Sequence, residues 1–316
     1  MSFSLKKILK TILPLILGFF LVWYSLSNIS IDVLIGYFKK ANYGWVSLGL
    51  FFGILSHFSR AYRWKFMLEP LGFKPKFTNS VLAVLVGYLV NLALPRAGEV
   101  SRAFVLTNYE DIPFEKGFGT IVAERIADLI MMLCIIIITL FVQFDFIYEL
   151  VTKNFNPTKI SISLAFLMMG SFVLFSLIKK AKYGFLLKIK TFVTGLIEGV
   201  TSIFKMKKKR AFIFHTLFIW TMYIAMFWAT IPAIKGLDVP LGGILIGFIA
   251  GGFSIAATNG GIGLYPIAVA GALALFDIPT EPATAFGWIM WTAQTAMIIT
   301  FGGLAFLFLP IYNKNS

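Results

Sequence analysis

Pro95-Arg96-Ala97-Gly98-Glu99-Val100-Ser101-Arg102 places three charged side chains inside an otherwise apolar region. A second interruption, Asn259-Gly260-Gly261-Ile262-Gly263-Leu264-Tyr265-Pro266, breaks a later apolar region with glycines. Each follows an apolar run too weak for a clear membrane span and precedes another short one. Backbone that leaves helical geometry at membrane depth is tolerated only where protein or a water-filled cavity surrounds it. Charges at that depth are costly and mark pathways or sites. Both interruptions therefore read as tips of re-entrant hairpins that line one polar cavity.

The rest of the chain agrees with a membrane setting. Hydrophobic residues make up 59% and charged residues 13% of 316 residues, with a mean hydropathy of +0.86. Soluble domains carry about 25% charged residues. The fold class is all-α, polytopic and integral to the membrane, as one membrane domain over 1–316. The formal net charge of +14 does not point to nucleic acid, because ten of the 28 basic residues sit between Lys179 and Arg210. Such a loop belongs on the cytoplasmic side. Cys134, the single cysteine, reads as a small buried apolar residue. Neither a metal-ligand spacing nor a cofactor motif is present, so no metal and no cofactor is expected.

Six full spans are expected, over 11–27, 43–59, 118–142, 160–178, 211–234 and 286–309. The arms 80–94 with 98–107, and 241–257 with 264–276, form the two hairpins. Charge counting supports this order. With the N-terminus and its three lysines inside, residues 60–77 (Arg60, Arg63, Lys65, Lys74, Lys76), the loop 179–210 and the C-terminus all fall on the cytoplasmic side. Full crossing by both arms of each pair gives the same parity, but 98–107 and 264–276 are shorter than the roughly 20 residues a span needs. The halves 1–142 and 160–309 each read span, span, hairpin, span, which makes them candidate inverted repeats. Residues 184–204 read as a cytoplasmic interfacial amphipathic helix beside the basic run 205–210.

The first tip carries Arg96, Glu99 and Arg102. A half-helix starting near Ala97 would present free amides and a positive dipole end beside two guanidinium groups. That combination suits a phosphate oxygen, with Glu99 pairing one arginine. A structural ion-pair cluster is the alternative. Glu124, Arg125 and Asp128 follow early in the next helix, with Arg125 in reach of Asp128. They are expected to face the arginine tip, or else to act as a buried buttress. Asn259, Gly260, Gly261 and Gly263 form either a second exposed helix end or a tight turn between packed helices, and Pro266 suits the first turn of the outgoing arm. His57 and His215 stand alone in apolar helices and read as structural.

Leu94–Leu106 (LPRAGEVSRAFVL) and 119–129 (GTIVAERIADL) resemble paired motif blocks of the flippase-like membrane domain in bacterial lysylphosphatidylglycerol synthases. The NGGIG tip followed by ATAFGWIMW is similar to the later part of that family. The resemblance covers nearly the whole chain. It implies helical re-entrant segments, a lipid headgroup cavity and transbilayer movement of a polar lipid, with Arg96, Glu99, Arg102, Glu124, Arg125 and Asp128 at the motif positions. Many relatives carry an acid just after the second glycine turn. Tyr265 and Pro266 stand there instead, which argues against a cationic headgroup such as a lysyl-lipid. The soluble domain that attaches lysine lies outside these residues, so lipid lysylation by them is not expected.

The expected function is that of a flippase or transporter for an anionic lipid, of phospholipid or polyprenyl-phosphate type, in the cytoplasmic membrane. The expected partners are lipids with phosphate headgroups and no nucleic acid. A homo-oligomer and a separate synthase partner stay open. Without a nucleotide-binding motif, movement would be passive or ion-coupled. The alternatives are a membrane enzyme or assembly subunit acting on a lipid-linked substrate, and a small-solute transporter. No enzyme motif is found, so no enzyme activity is expected.

Overall fold

The computed structural model describes residues 5–27, 29–94, 96–154 and 206–314, with isolated positions between 155 and 205. The protein is all-α. Its described helices are α1 (Leu5–Ser27), α2 (Ile31–Lys40), α3 (Tyr43–Leu68), α4 (Phe77–Ala93), α5 (Ala97–Glu110), α6 (Phe114–Val142), α7 (Phe144–Asn154), α8 (Lys209–Thr230), α9 (Leu241–Ala257), α10 (Leu264–Ala274) and α11 (Thr280–Tyr312). The expected span 160–178 and interfacial helix 184–204 lie outside the described residues. Two compact units emerge. One comprises Met1–Val122 with Arg210–Ser316, the other Ala123–Lys209, and the boundary falls within α6.

Both hairpins are present in the first unit. The arm α4 has 17 residues and α5 has 14, so they rise about 25 and 21 Å, less than a hydrocarbon core of about 30 Å. Their contacts keep a strict antiparallel register. Asn79 Nδ2 donates to Glu110 Oε1 at 2.5 Å, Gly87 lies against the Arg102 stem, and Gly98 N donates to Asn91 Oδ1 at 2.7 Å. The second hairpin pairs α9 with the 11-residue α10. Apolar arms too short to span are α4, α9 and α10.

The 33-residue α11 rises about 50 Å and carries both hairpins. Its C-terminal end meets the open end of the first, where Asn79 and Asn313 exchange amide hydrogen bonds of 2.9 Å in both directions. Its N-terminal half meets the second, where Trp291 Nε1 donates to Gly260 O at 2.8 Å. The hairpins thus approach from opposite ends of one helix. An aromatic core sits where α8, α10 and α11 converge, with Phe227 and Phe286 edge to face at 5.0 Å.

Helix length and apolarity pick out fewer segments than the six expected, one of which, 160–178, lies outside the described residues. Among the described residues, three helical segments are long and apolar enough to cross a membrane: Phe114–Val142, Lys209–Ala233 and Thr280–Tyr312. A fourth counts only if Ile16–Ser27 and Ile31–Lys40, bent by 83°, form one span. The 26-residue α3 does not qualify because its second half carries Ser56, His57, Ser59, Arg60 and Arg63. Even so, α3 runs antiparallel along α8, with Gly49 near Thr230 and Arg63 Nη1 donating to Thr216 Oγ1 at 2.9 Å. Arg60 and Arg63 are therefore not loop charges: the helix continues to Leu68 and buries them. Hydropathy missed α2 as well. Its start is set by Ser30 Oγ, which accepts from Val33 N at 3.3 Å, and its end by Lys39 and Lys40 in the last turn. In the second unit, α7 follows α6 after the single residue Gln143.

Candidate functional site

The first tip is built by a clamp that the motif alone does not reveal. Arg96 precedes α5 with φ 61° and ψ 6°, a left-handed backbone that costs a non-glycine residue about 1–2 kcal/mol. It offers α5 no side-chain cap. The cap comes from Asn91 on the incoming arm: its Oδ1 takes the Gly98 amide, and its Nδ2 donates to Glu99 Oε2 at 3.4 Å. This refines one expectation and corrects another. One first-turn amide of α5 is already satisfied by protein, and Glu99 is held by Asn91 rather than by an arginine. A lone amide in the run Val90-Asn91-Leu92 was the available signal. Replacing Asn91 with leucine is expected to lower stability by about 1–3 kcal/mol, since the buried Gly98 amide loses its acceptor. Thermal unfolding in detergent would report it as a reduced Tm.

Arg96 is exposed at the tip, whereas Arg102 lies one and a half turns on and is buried. The Arg102 guanidinium sits over the Trp64 ring at 4.3 Å. Trp64 is itself fixed by Nε1 donating to Thr120 Oγ1 at 2.8 Å. On α3, Arg63 lies over the Phe212 ring at 5.3 Å, and Arg60 Nη2 donates to Tyr223 OH at 3.4 Å. Tyr223 OH in turn shares a hydrogen bond of 3.2 Å with Tyr88 OH on α4. Arg60, Arg63 and Arg102 are 2%, 0% and 4% exposed. The sequence reading placed the first two at the membrane surface, so the buried set was only one-third visible. Charge inside a membrane protein is retained where it is paired or functional.

The second tip closes on the first. Gly260, Gly261 and Gly263 have φ of 61°, 81° and 68°, values that L side chains rarely adopt. Space is short as well: a Cβ on Gly260 would lie 2.8 Å from Leu92 Cδ2 on α4, and one on Gly263 would lie 2.6 Å from Val22 N on α1. Asn259 contributes a backbone carbonyl that accepts from Ile262 N at 3.4 Å. The glycines therefore serve close packing of the two tips and of α1. Pro266 sits in the first turn of α10, as expected.

The second unit holds the remaining candidates. Arg125 bridges two carboxylates, with Nη2 at 3.2 Å from Glu124 Oε1 and Nη1 at 3.7 Å from Asp128 Oδ2. Glu124 and Asp128 are buried, while Arg125 is partly open. The i, i+3 contact anticipated from spacing is present. Cys134 is exposed on α6 rather than buried, a correction that fits an apolar helix facing lipid. His215 has its structural partner, with Nδ1 at 2.8 Å from Ser59 Oγ, whereas neither ring nitrogen of His57 has a hydrogen-bond partner among the described residues. Among the described residues no cluster of three metal-ligating side chains occurs.

Residues 11–303 match the family model for the lysylphosphatidylglycerol synthase transmembrane region. The chain belongs to this family. A UPF0104 membrane protein of Methanocaldococcus jannaschii is 34% identical over 125 residues, 39% of this chain and 37% of that protein. Glycosyltransferase AglD of Haloferax volcanii is 33% identical over 72 residues, 22% of this chain and 12% of that one. The chain thus matches well under half of the length of either relative. No solved structure matches. Family membership and the apolar helices establish a multi-pass membrane protein.

Proposed function

We propose that the protein carries the polar head of an anionic lipid across the cytoplasmic membrane, its chains remaining in the bilayer. The observation that carries this reading is the burial of Arg60, Arg63 and Arg102 beside two hairpins whose tips meet partway along α11. Moving a bare phosphate through hydrocarbon costs tens of kcal/mol in the idealised limit, and fixed guanidinium groups lower that barrier by replacing water. Arg96, exposed at the tip, is the first contact for the head. Glu99, Asn259, Gly260, Gly261 and Gly263 shape the tips, and Glu124, Arg125 and Asp128 form a second polar element needed for movement. The membership of the family supports a lipid-related role. Both termini face the cytoplasm in this reading, as the basic loops require.

The test is reconstitution into vesicles with headgroup-labelled phosphatidylglycerol, other phospholipids or a polyprenyl phosphate. Transbilayer movement above that of protein-free vesicles is expected for at least one of them. Failure with all of them, in several lipid backgrounds, overturns the proposal. The partial likeness to a protein named as a glycosyltransferase favours a second reading, in which the chain serves an enzyme acting on a lipid-linked substrate. In that case Glu124→Gln would abolish product formation and leave lipid binding intact.

A further inference from the structure

A narrow open cleft lies between α3, α4 and α11, lined by apolar side chains that include Leu85, Ile298 and Phe301, together with His57 and Tyr88. Its lining residues run from Val81 to Tyr88 on α4, a length of about 10 Å. The mouth is flanked by Phe58 and Phe301, 43% and 40% exposed, and α11 is one of the helices long and apolar enough to cross a membrane. A mouth with exposed aromatic rings on a helix of that length and apolarity suits a hydrocarbon surrounding. The lining surface is apolar throughout, and polar groups lie directly behind it. His57 is 7% exposed, and neither of its ring nitrogens has a hydrogen-bond partner among the described residues. Its ring packs on Tyr88 at 4.4 Å, and Tyr88 leads through Tyr223 to Arg60. A neutral imidazole always has one N–H to donate, and leaving it buried and unmet is unfavourable. An apolar slot open to lipid, backed by an unmet donor and then by a buried cation, matches one kind of molecule: an amphiphile entering sideways.

We infer that this cleft seats an acyl chain of the transported phospholipid, with His57 as a hydrogen-bond donor to the polar end as it passes inward. The inference rests on the lipid-carrier reading and adds the side by which the lipid enters. The seat is made of packing alone, so it accepts any straight hydrocarbon chain. Selectivity belongs to the polar end.

The experiment uses the full chain in phosphatidylglycerol vesicles doped with phosphatidylglycerol that carries a diazirine on one acyl chain. After illumination, labelled peptides are mapped by mass spectrometry. Label is expected to concentrate at Phe58, Leu85 and Phe301, above the background on exposed Leu133 and Ile137 of α6. Filling the cleft by Leu85→Trp, or by the milder Ile298→Phe should the first not fold, is expected to cut that label at least about fivefold. His57→Phe should keep the label and slow headgroup movement about fivefold, the loss of one hydrogen bond, and His57→Gln should restore it. Label spread evenly over α6 and the cleft, or unchanged by either filling variant, overturns the inference even if the wild type moves lipid. Label confined to the cleft in a protein that moves no lipid upholds the chain seat and overturns the carrier reading.

Discussion

Gly98→Val is expected to unmake the first hairpin. A Cβ at position 98 would fall on the Gly87 carbonyl oxygen and lie 2.6 Å from Asn91 Cγ. The first obstacle is backbone in the facing helix, and the second is a side chain held by its bonds to Gly98 and Glu99. Neither can yield cheaply. Overpacking of a tight interior costs about 1–3 kcal/mol and sometimes more, and a contact with backbone belongs at the upper end. A loss of about 3 kcal/mol is more than a hundredfold in the folding equilibrium. Gly271→Ala on α10 is the matched control, because an added Cβ there meets nothing within 4 Å. It should leave the Tm unchanged or slightly raised, as alanine favours helix. A Gly98→Val protein that melts with the wild type would show that α4 and α5 are not packed as described.

The second large effect concerns Arg60. Its hydrogen bond to Tyr223, fourteen residues beyond Lys209 on α8, places its charge about 21 Å along that helix, past its midpoint. A hydrogen bond to a charged group contributes about 1.5–3 kcal/mol. Arg60→Leu is therefore expected to slow headgroup movement by roughly 10–100-fold. Leucine suits a buried apolar position, so the protein should still fold. Arg102→Leu should behave alike, and Arg102→Lys should not rescue it, because a planar guanidinium stacks on Trp64 as an ammonium cannot. Normal transport in well-folded Arg60→Leu protein would place the path elsewhere.

The hairpins were legible because their signals are local. Pro95 and the run Gly260-Gly261-Ile262-Gly263 mark breaks that each arm declares within a few residues. The start of α5 at Ala97 and the bridge from Arg125 to Asp128 follow from spacing on one helix. What stayed hidden depends on distant partners. Arg60 and Arg63 look like the basic end of a span until Tyr223 and Thr216 of α8 are set beside them. Asn91 looks like a stray amide until the chain turns back and Gly98 arrives. For the same reason α3 fails as an apolar span, since its polar residues face α8 and α4 rather than lipid.

The amide pair between Asn79 and Asn313 has a bearing on how the protein is made. These residues are 234 apart in the chain, and Asn79 is fully buried. At roughly 5–20 residues per second, a ribosome needs on the order of 10–50 s to deliver the second after the first. During that interval the opening of the earlier hairpin lacks its clasp, which arrives only with the far end of α11.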